Sequence, residues 1–463
     1  MTADGGACCD RITFSLQIDG ERVSDAGFEA DGCGATTAAG SAAVSLVRGE
    51  RLLEAARIGP REIAAELGGL SPGKLHAGEL AADGLARALG AATRATGHLP
   101  APPGGRTLVA MSGGVDSAVA ALRSREQGET VAVTLELWSD RENDAERSCC
   151  SASAVAQARS LAHTMGLAHF TIDLRSEFRA GVVEPFIAEF AAGETPNPCI
   201  GCNGHVRLDA MLALADQLGC RWLATGHYAR TVEHDHEQGP LLRVAADLAK
   251  DQTYMLAALA PSSLARMQFP LGELTKPEVR GLAAEAGLPV AAKADSQDLC
   301  FLAGTDRGRF LARHGGLGDR RGEITDRAGQ VLGHHQGQHH FTVGQRRGLR
   351  VAAAEPLYVL DKDAATNRVV VGPAGELRTS RVGLRRVRLQ RAGCEVDRVK
   401  LRYRAKPMAA KLVGDPPAGR HTALELDFDD PADAAAPGQM ACLMRGELVI
   451  GWGTIARLHS IAA

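Results

Sequence analysis

Aromatic residues are scarce in this chain: 3 Trp, 4 Tyr and 11 Phe make up 4% of its 463 residues. Its cores must therefore be built from aliphatic and alanine packing, and Trp138, Trp222 and Trp452 are read as core residues rather than base-stacking platforms. Long apolar runs are also lacking: none approaches the ~20 residues that span a bilayer, and the N-terminus has no basic-then-apolar secretion pattern. The expectation is a soluble, cytoplasmic protein with no membrane partner. The 11 cysteines are an odd number in a long chain without an export signal, which favours thiol chemistry or metal binding over a disulfide framework. A strong net charge is missing too, at -3, but the balance is uneven. Residues 1–92 hold 8 Lys/Arg against 13 Asp/Glu, whereas residues 378–411 hold 12 against 2. In that basic stretch Arg alternates with Val or Leu as in a half-buried strand, and so dense a cluster of one sign implies a polyanionic partner.

What is present begins with Thr107-Leu-Val-Ala-Met-Ser-Gly-Gly-Val-Asp-Ser117, an apolar strand entering a Ser/Gly loop and then an alanine-rich helix. Gly113 and Gly114 lack Cβ atoms, so the backbone can bring N–H groups against a pyrophosphate at the positive end of the following helix. Ser112 and Ser117 supply hydroxyls, and Asp116 orients the loop or helps hold Mg²⁺. The spacing resembles the signature of N-type ATP pyrophosphatases, with Ala110, Met111 and Val115 completing the ATP-contacting run.

Composition divides the chain. The Pro- and Gly-rich stretch 97–106 lacks an apolar period and reads as a linker. The boundaries follow as 1–92, linker 93–106, an α/β layer with a parallel sheet over 107–312, a central domain over 313–377 and an all-β region over 378–463. Within the α/β span, Thr195-Pro-Asn-Pro-Cys199-Ile-Gly-Cys202-Asn203 is a rigid, Pro-bounded loop with two thiols, and Asp295-Ser-Gln-Asp-Leu-Cys300 offers a third. By itself the CxxC reads equally as a redox pair, half a zinc site or inert. Cys149 and Cys150, before a helix that Ser151 or Ser153 caps, are read as structural. The run His334-His-Gln-Gly-Gln-His-His340 has no adjacent acidic or thiol ligand and is read as serving the fold.

Residues 106–463 resemble the tRNA-specific 2-thiouridylase family through MSGGVDS, TPNPCIGCN, ATGHYAR, KDQTYML, KADSQDLCF, HHFTVGQRRGL, LRYRAK and PGQMACLMRGELVIGWG, all in order. The resemblance implies an ATP pyrophosphatase (PP-loop) domain of the adenine-nucleotide alpha-hydrolase type, a small central domain and a C-terminal β-barrel that binds tRNA. It also implies replacement of the C2 oxygen of the wobble uridine by sulfur. Carried over by position, Cys202 is the nucleophilic cysteine and Cys300 the persulfide carrier. Leu135 and Gly226 contact the nucleotide, and His227, Lys250, Asp251, Gln252, Arg402, Tyr403, Arg404 and Gln439 contact tRNA. Many members have Asp where this chain has Cys199, so Cys199, Cys202 and Cys300 together form a thiolate set suited to a [4Fe-4S] cluster. The chemistry agrees: oxide is a poor leaving group, adenylation converts it to AMP, and the sulfur attacks the activated carbon.

Residues 1–92 carry a second resemblance, to the IscU/NifU-type iron–sulfur scaffold, through ACCDRITFSLQIDGERVSDAGFEADGCGATTAAGSAAVSLVRG and LSPGKLHAGELAADGLARAL. It implies an α+β fold, with Cys8, Asp10, Cys33 and His76 at the metal-ligand positions. Ala77 stands where the scaffold has its third cysteine, which leaves a donor set suited to zinc or a modified cluster site. The expectation is an ATP-dependent tRNA thiouridylase with a cysteine desulfurase or other sulfur donor as partner. Two alternatives are an iron–sulfur or sulfur carrier with a vestigial ATP loop, and another adenylating PP-loop enzyme.

Overall fold

The computed structural model describes residues 9–140, 151–233, 239–295, 299–302, 304–433 and 435–456, with the backbone alone at 2–4. Cys8, Cys149 and Cys150 lie outside the described residues. The chain forms two compact units: residues 1–177, 207–228 and 266–304 make the first, and 178–206, 229–265 and 305–463 the second.

The first unit opens with an antiparallel sheet of Thr2–Asp4, Arg11–Asp19 and Arg22–Asp31. Helices Gly34–Val47 and Leu75–Thr96 cover it, and glycines let them come close. A Cβ on Gly40 would stand 2.4 Å from the Phe28 ring, and one on Gly84 3.0 Å from Phe14. Behind this lies a five-stranded parallel sheet in the order Met267–Gln268, Trp222–Ala224, Arg106–Ala110, Glu129–Glu136, Ala168–Asp173. Its inner strands Arg106–Ala110 and Glu129–Glu136 are buried along most of their length, as expected of a parallel sheet covered by helices on both faces. Helix Ala152–Thr164 is capped by Ser151, whose Oγ accepts from Ala154 N at 3.2 Å.

The scaffold-like module does not hang on a tether. The long helix Leu75–Thr96 runs past residue 92 and packs on the edge strand Ala168–Asp173 so tightly that a Cβ on Gly90 would meet Thr171 O at 2.1 Å. Leu99, in the stretch expected to be a free linker, is buried, and its N–H donates to Gln217 O at 2.8 Å. The Pro and Gly content conveyed irregular backbone, but not that an apolar side chain pins it down. Ionic contacts reinforce the junction. Asp83 accepts from Arg159 at 2.8 Å and pairs with Arg87 at 3.0 Å, while Arg87 also grips both oxygens of Glu136 at 2.6–3.1 Å. All four side chains are largely buried, and burial pushes the Glu136 carboxyl up despite Arg87.

The second unit contains a four-stranded sheet ordered Val331–His335, Gly322–Thr325, Arg368–Pro373, Leu357–Asp363. A closed six-stranded barrel follows: Arg378–Leu389, Gly419–Asp433, Met408–Leu412, Arg398–Lys400, Met440–Arg445 and Leu448–Ala456, with the last strand pairing back to the first. Leu384, Val399, Leu426, Leu443 and Ile455 fill it. Two segments of the expected α/β span belong here, because Leu241–Arg243 pairs with the barrel strand Leu448–Ala456 and Arg230–Val232 pairs with Leu241–Arg243.

Candidate functional site

In the first unit the Ser/Gly loop is a closed turn. Ser117 Oγ accepts from Ser112 N at 3.1 Å and donates to Gly114 O at 3.0 Å, so the two serines hold the loop's ends together. Gly113 takes φ +71, and a Cβ there would press on Ala154 O at 2.9 Å. Helix Val115–Gln127 begins here and directs its first amides into the turn. Gly226 abuts the same turn, for a Cβ would lie 2.8 Å from both Asp116 C and Ser117 N. Met111 N donates to Val133 O at 2.8 Å, and Leu135 is buried two residues further along that strand, so Ala110, Met111 and Leu135 share one edge of the sheet.

Two lysines that the sequence did not single out complete this site. Lys276 Nζ lies 2.7 and 2.9 Å from the Asp116 oxygens and 2.9 Å from Asp295 Oδ1. Tyr228 OH donates to Asp116 at 2.8 Å, and Arg280 pairs with Asp295 at 3.1 Å. Lys276 opens helix Lys276–Glu285, where the helix dipole disfavours a cation, and the two carboxylates offset that. Lys293 Nζ donates to Gly113 O at 3.0 Å and to Gln157 Oε1 at 2.6 Å. The Thr275-x-x-Glu278 capping box signals the helix start from sequence, but nothing local links Lys276 to an aspartate 160 positions earlier. The Asp116 carboxylate thus locks the loop. The first amides of helix Val115–Gln127 form the kind of backbone concavity that accepts an anion, with Lys293 and the carboxylate-paired Lys276 beside it.

Also in this unit, Asp10, Cys33 and His76 each present a ligand atom within 4.8 Å of the others. The sequence expectation brought these three together from positions far apart in the chain. Asp10 is buried, accepts from the Thr36 hydroxyl and is held below the usual carboxylate range chiefly by that bond. Cys33 precedes helix Gly34–Val47, and its thiol is lowered by the Thr36 hydroxyl and by the amides of Thr36 and Ala35. Lys74 Nζ stands 3.7 Å from its sulfur. Among the described residues, one thiol, one carboxylate and one imidazole form a donor set that fits zinc or ferrous iron. Ala77 is fully buried, so a donor is lost there and apolar packing gained.

In the second unit the cysteine loop follows helix Glu184–Ala191. Asn197 Oδ1 accepts from Cys199 N at 3.1 Å and caps the short helix Pro198–Gly201. Cys199 is partly exposed and Cys202 buried; Asn203 Nδ2 donates to Met255 O at 3.3 Å. Cys300, partly exposed, belongs to the first unit, in the turn Cys300–Leu302.

The residues expected to contact tRNA divide by role. Lys250, Asp251, Gln252, Arg402, Tyr403, Arg404 and Gln439 are in the second unit and His227 in the first. Arg404 lies over the Tyr403 ring at 6.0 Å. Burial raises the Tyr403 hydroxyl, with Arg404 and Lys250 opposing and Asp251 and Cys199 adding to the rise, so basic and thiol groups share one neighbourhood. Asp251, in contrast, is buried; it pairs with Lys400 at 3.2 Å and accepts from Thr253 Oγ1 and Ala245 N, which makes it a brace for its loop. Gln439 donates to Thr195 O. His227 is kept neutral by burial and by Arg207. The basic strand is also less bare than its composition implied. Arg378, Arg381, Arg385, Arg386 and Arg398 pair with Asp433, Glu425 and Asp427, Glu194, Glu189 and Asp397 respectively. Carboxylates remote in sequence, for all of these but Arg398, thus supply part of the neutralisation that had been assigned to phosphates.

Comparison with known proteins finds a match for each domain in turn. Residues 2–96 match the NifU-like N terminal domain, 105–304 the tRNA methyl transferase HUP domain, 308–373 the tRNA methyl transferase PRC-barrel domain and 388–455 the aminomethyltransferase beta-barrel domain. The chain is 42% identical to a bifunctional protein NifU/MnmA of Rubrobacter xylanophilus, over 98% of this chain and 93% of that one. It is 44% identical to a tRNA-specific 2-thiouridylase MnmA of Acidithiobacillus ferrooxidans, over 76% of this chain and 98% of the relative. A third relative, MnmA 1 of Thermoanaerobacter pseudethanolicus, is 38% identical over the same shares.

Proposed function

Since the chain belongs to the tRNA-specific 2-thiouridylase family, in the form that carries a NifU-like domain in front, we propose that it replaces the C2 oxygen of a tRNA wobble uridine with sulfur, using ATP. The observation that carries this reading is the match along the whole chain, scaffold-like module included, to one bifunctional relative. The serine-locked loop with Lys276 and Lys293 binds the triphosphate, with Mg²⁺ accompanying it, and the uridine O2 attacks the α-phosphorus, releasing pyrophosphate. The terminal sulfur of a Cys300 persulfide then attacks C2 and AMP leaves. Cys202 thiolate attacks the inner sulfur, so the outer sulfur stays on the base and a Cys202–Cys300 disulfide forms, which an external thiol reduces before the next turnover. Burial of Cys202 shields it from competing oxidation between turnovers.

Lys250, Gln252, Arg402, Tyr403 and Arg404 hold the tRNA, and a cysteine desulfurase supplies sulfur. Asp10, Cys33 and His76, with Cys8 as a fourth ligand, would hold a zinc or iron ion, which would fix the fold of the module and keep Cys33 as thiolate. Cys199 at CxxC spacing from Cys202 favours a second reading, in which Cys199, Cys202 and Cys300 hold a [4Fe-4S] cluster. Iron and labile-sulfide analysis of anaerobically purified protein separates the two: close to four irons with as many labile sulfides supports the cluster, and absence of labile sulfide with an active Cys199→Asp variant supports the persulfide route. The function itself is tested by nucleoside mass spectrometry of tRNA incubated with the protein, ATP and a sulfur source. Absence of ATP-dependent 2-thiouridine would sink it.

A further inference from the structure

The cysteine loop is gripped at its root by the rest of the second unit. Helix Glu184–Ala191 ends at Gly193, which takes φ +81, and Glu194 N donates back to Glu189 O at 2.9 Å. Three elements then converge on Glu194 and Thr195. From strand Leu357–Asp363, Lys362, almost fully buried, donates to Glu194 O at 3.3 Å and to Phe341 O at 2.9 Å. From the barrel, Arg385 pairs with Glu194 Oε2 at 2.5 Å. From the turn at 437–439, Pro437 O accepts from Thr195 N at 2.9 Å, and Gln439 Nε2 donates to Thr195 O. That turn is itself sewn to barrel strand Leu448–Ala456, since Gly438 N donates to Ile455 O at 3.0 Å and Ile455 N to Gln439 O at 2.8 Å. Gly438 takes φ +90 and passes so close that a Cβ would meet Glu194 Cβ at 2.9 Å.

Between this grip and the thiols the chain has little freedom. Pro196 and Pro198 fix their own φ angles, and Asn197 is committed to capping the helix that bears Cys199. A shift at Thr195 therefore reaches Cys199 and Cys202 with little loss. We propose that Glu194, Lys362 and Gln439 are positioning residues that set the place of the two thiols, and that Gln439 acts on the cysteine loop through Thr195 rather than on RNA. The proposal rests on the reading of Cys202 as a reacting thiol.

Gln439→Glu keeps the shape but replaces the amide donor by a carboxylate that repels Thr195 O. In the full-length protein it should slow single-turnover thiolation at saturating tRNA by roughly 10- to 100-fold, as expected for a displacement of about 1 Å. It should also change the rates at which iodoacetamide alkylates Cys199 and Cys202, read by peptide mass spectrometry, while the Kd for tRNA stays within about twofold of the parent. Gln439→Asn, with a shorter donor, should recover part of the rate. A weaker Kd with unchanged alkylation would overturn the proposal and return Gln439 to RNA contact. Should Gln439→Glu fold poorly, Arg385→Gln removes one half-exposed grip on Glu194 and should give the same pattern at about two- to threefold; unchanged alkylation and rate in that variant also counts against the proposal. Failure of the reading of Cys202 as the reacting thiol is distinguishable, because Cys202→Ser would then remain active in the same assay.

Discussion

The nucleotide loop at 112–117 and the cysteine loop at 194–203 carry the two halves of the proposed chemistry, and they are held in different ways. The first is largely self-made: Ser112 and Ser117 close it, Gly113 gives it its left-handed turn, and Val115–Gln127 begins within it. Lys276 and Lys293 come from far along the chain, but they add cations to a turn that its own residues already close. The second loop has stiff prolines and one cap of its own, and its root is fixed by a barrel strand, a barrel turn and a strand of the four-stranded sheet. A phosphate cradle can be written into six consecutive residues because backbone amides do the binding. A reacting thiol must be placed to within a fraction of an ångström, and that takes a scaffold.

The comparison can be broken most severely at the thiols. Cys202→Ser or Cys300→Ser should abolish 2-thiouridine formation while ATP and tRNA binding persist, since serine cannot carry or resolve a persulfide; normal thiolation by either variant, seen in nucleoside mass spectrometry, contradicts their roles. Next comes the nucleotide loop. Lys276→Met leaves Asp116 and Asp295 facing each other without a buried cation, and should lower the ATP-dependent rate by roughly 100-fold with a higher KM for ATP and unchanged tRNA affinity. A rate within twofold of the parent would show that the loop needs no support from outside its own six residues.

Of intermediate size is the junction between the scaffold-like module and the ATP domain. Arg87→Met strands Glu136 as a buried carboxylate and leaves Asp83 to Arg159 alone, and should cost about 3 kcal/mol of unfolding free energy, measured by denaturant titration of the full chain. A loss under about 0.5 kcal/mol would mean that the module is held by apolar packing alone. The smallest effect is expected on the RNA face: Arg404→Gln should weaken tRNA binding a few-fold and lower the slope of log K against log salt by about 1. An unchanged slope places the phosphates elsewhere, among the arginines that pair with carboxylates in the free protein.

Much of the fold was legible. The order of scaffold-like module, parallel α/β layer, central sheet and barrel follows from composition shifts, apolar periodicity and motifs in sequence order, and the Asp10, Cys33 and His76 cluster was expected by position. Misreadings arose where a residue's partner is distant. Asp251 sits in a motif beside Lys250 and Gln252, yet Lys400, about 150 positions on, draws it inward. The arginines of 378–398 read as a bare cationic face because Glu189, Glu194, Glu425 and Asp427 were not visible beside them. The stretch 97–106 read as a tether because the site that buries Leu99 is supplied by residues more than a hundred positions away.

The sequence by itself determined the chemistry available to this protein: a Ser/Gly loop between strand and helix of the kind that accepts a phosphate, thiols placed in loops, and a module that keeps two thiols, a carboxylate and an imidazole. Those are properties of residue type and short-range backbone geometry, which act over a few residues and survive in any context. Only the tertiary structure decided which charges are neutralised at home, that the long helix Leu75–Thr96 joins the module to the ATP sheet, and that a barrel turn holds the root of the cysteine loop. Ion pairing and close packing depend on distance in space, which the order of residues along the chain does not fix until the fold brings them together.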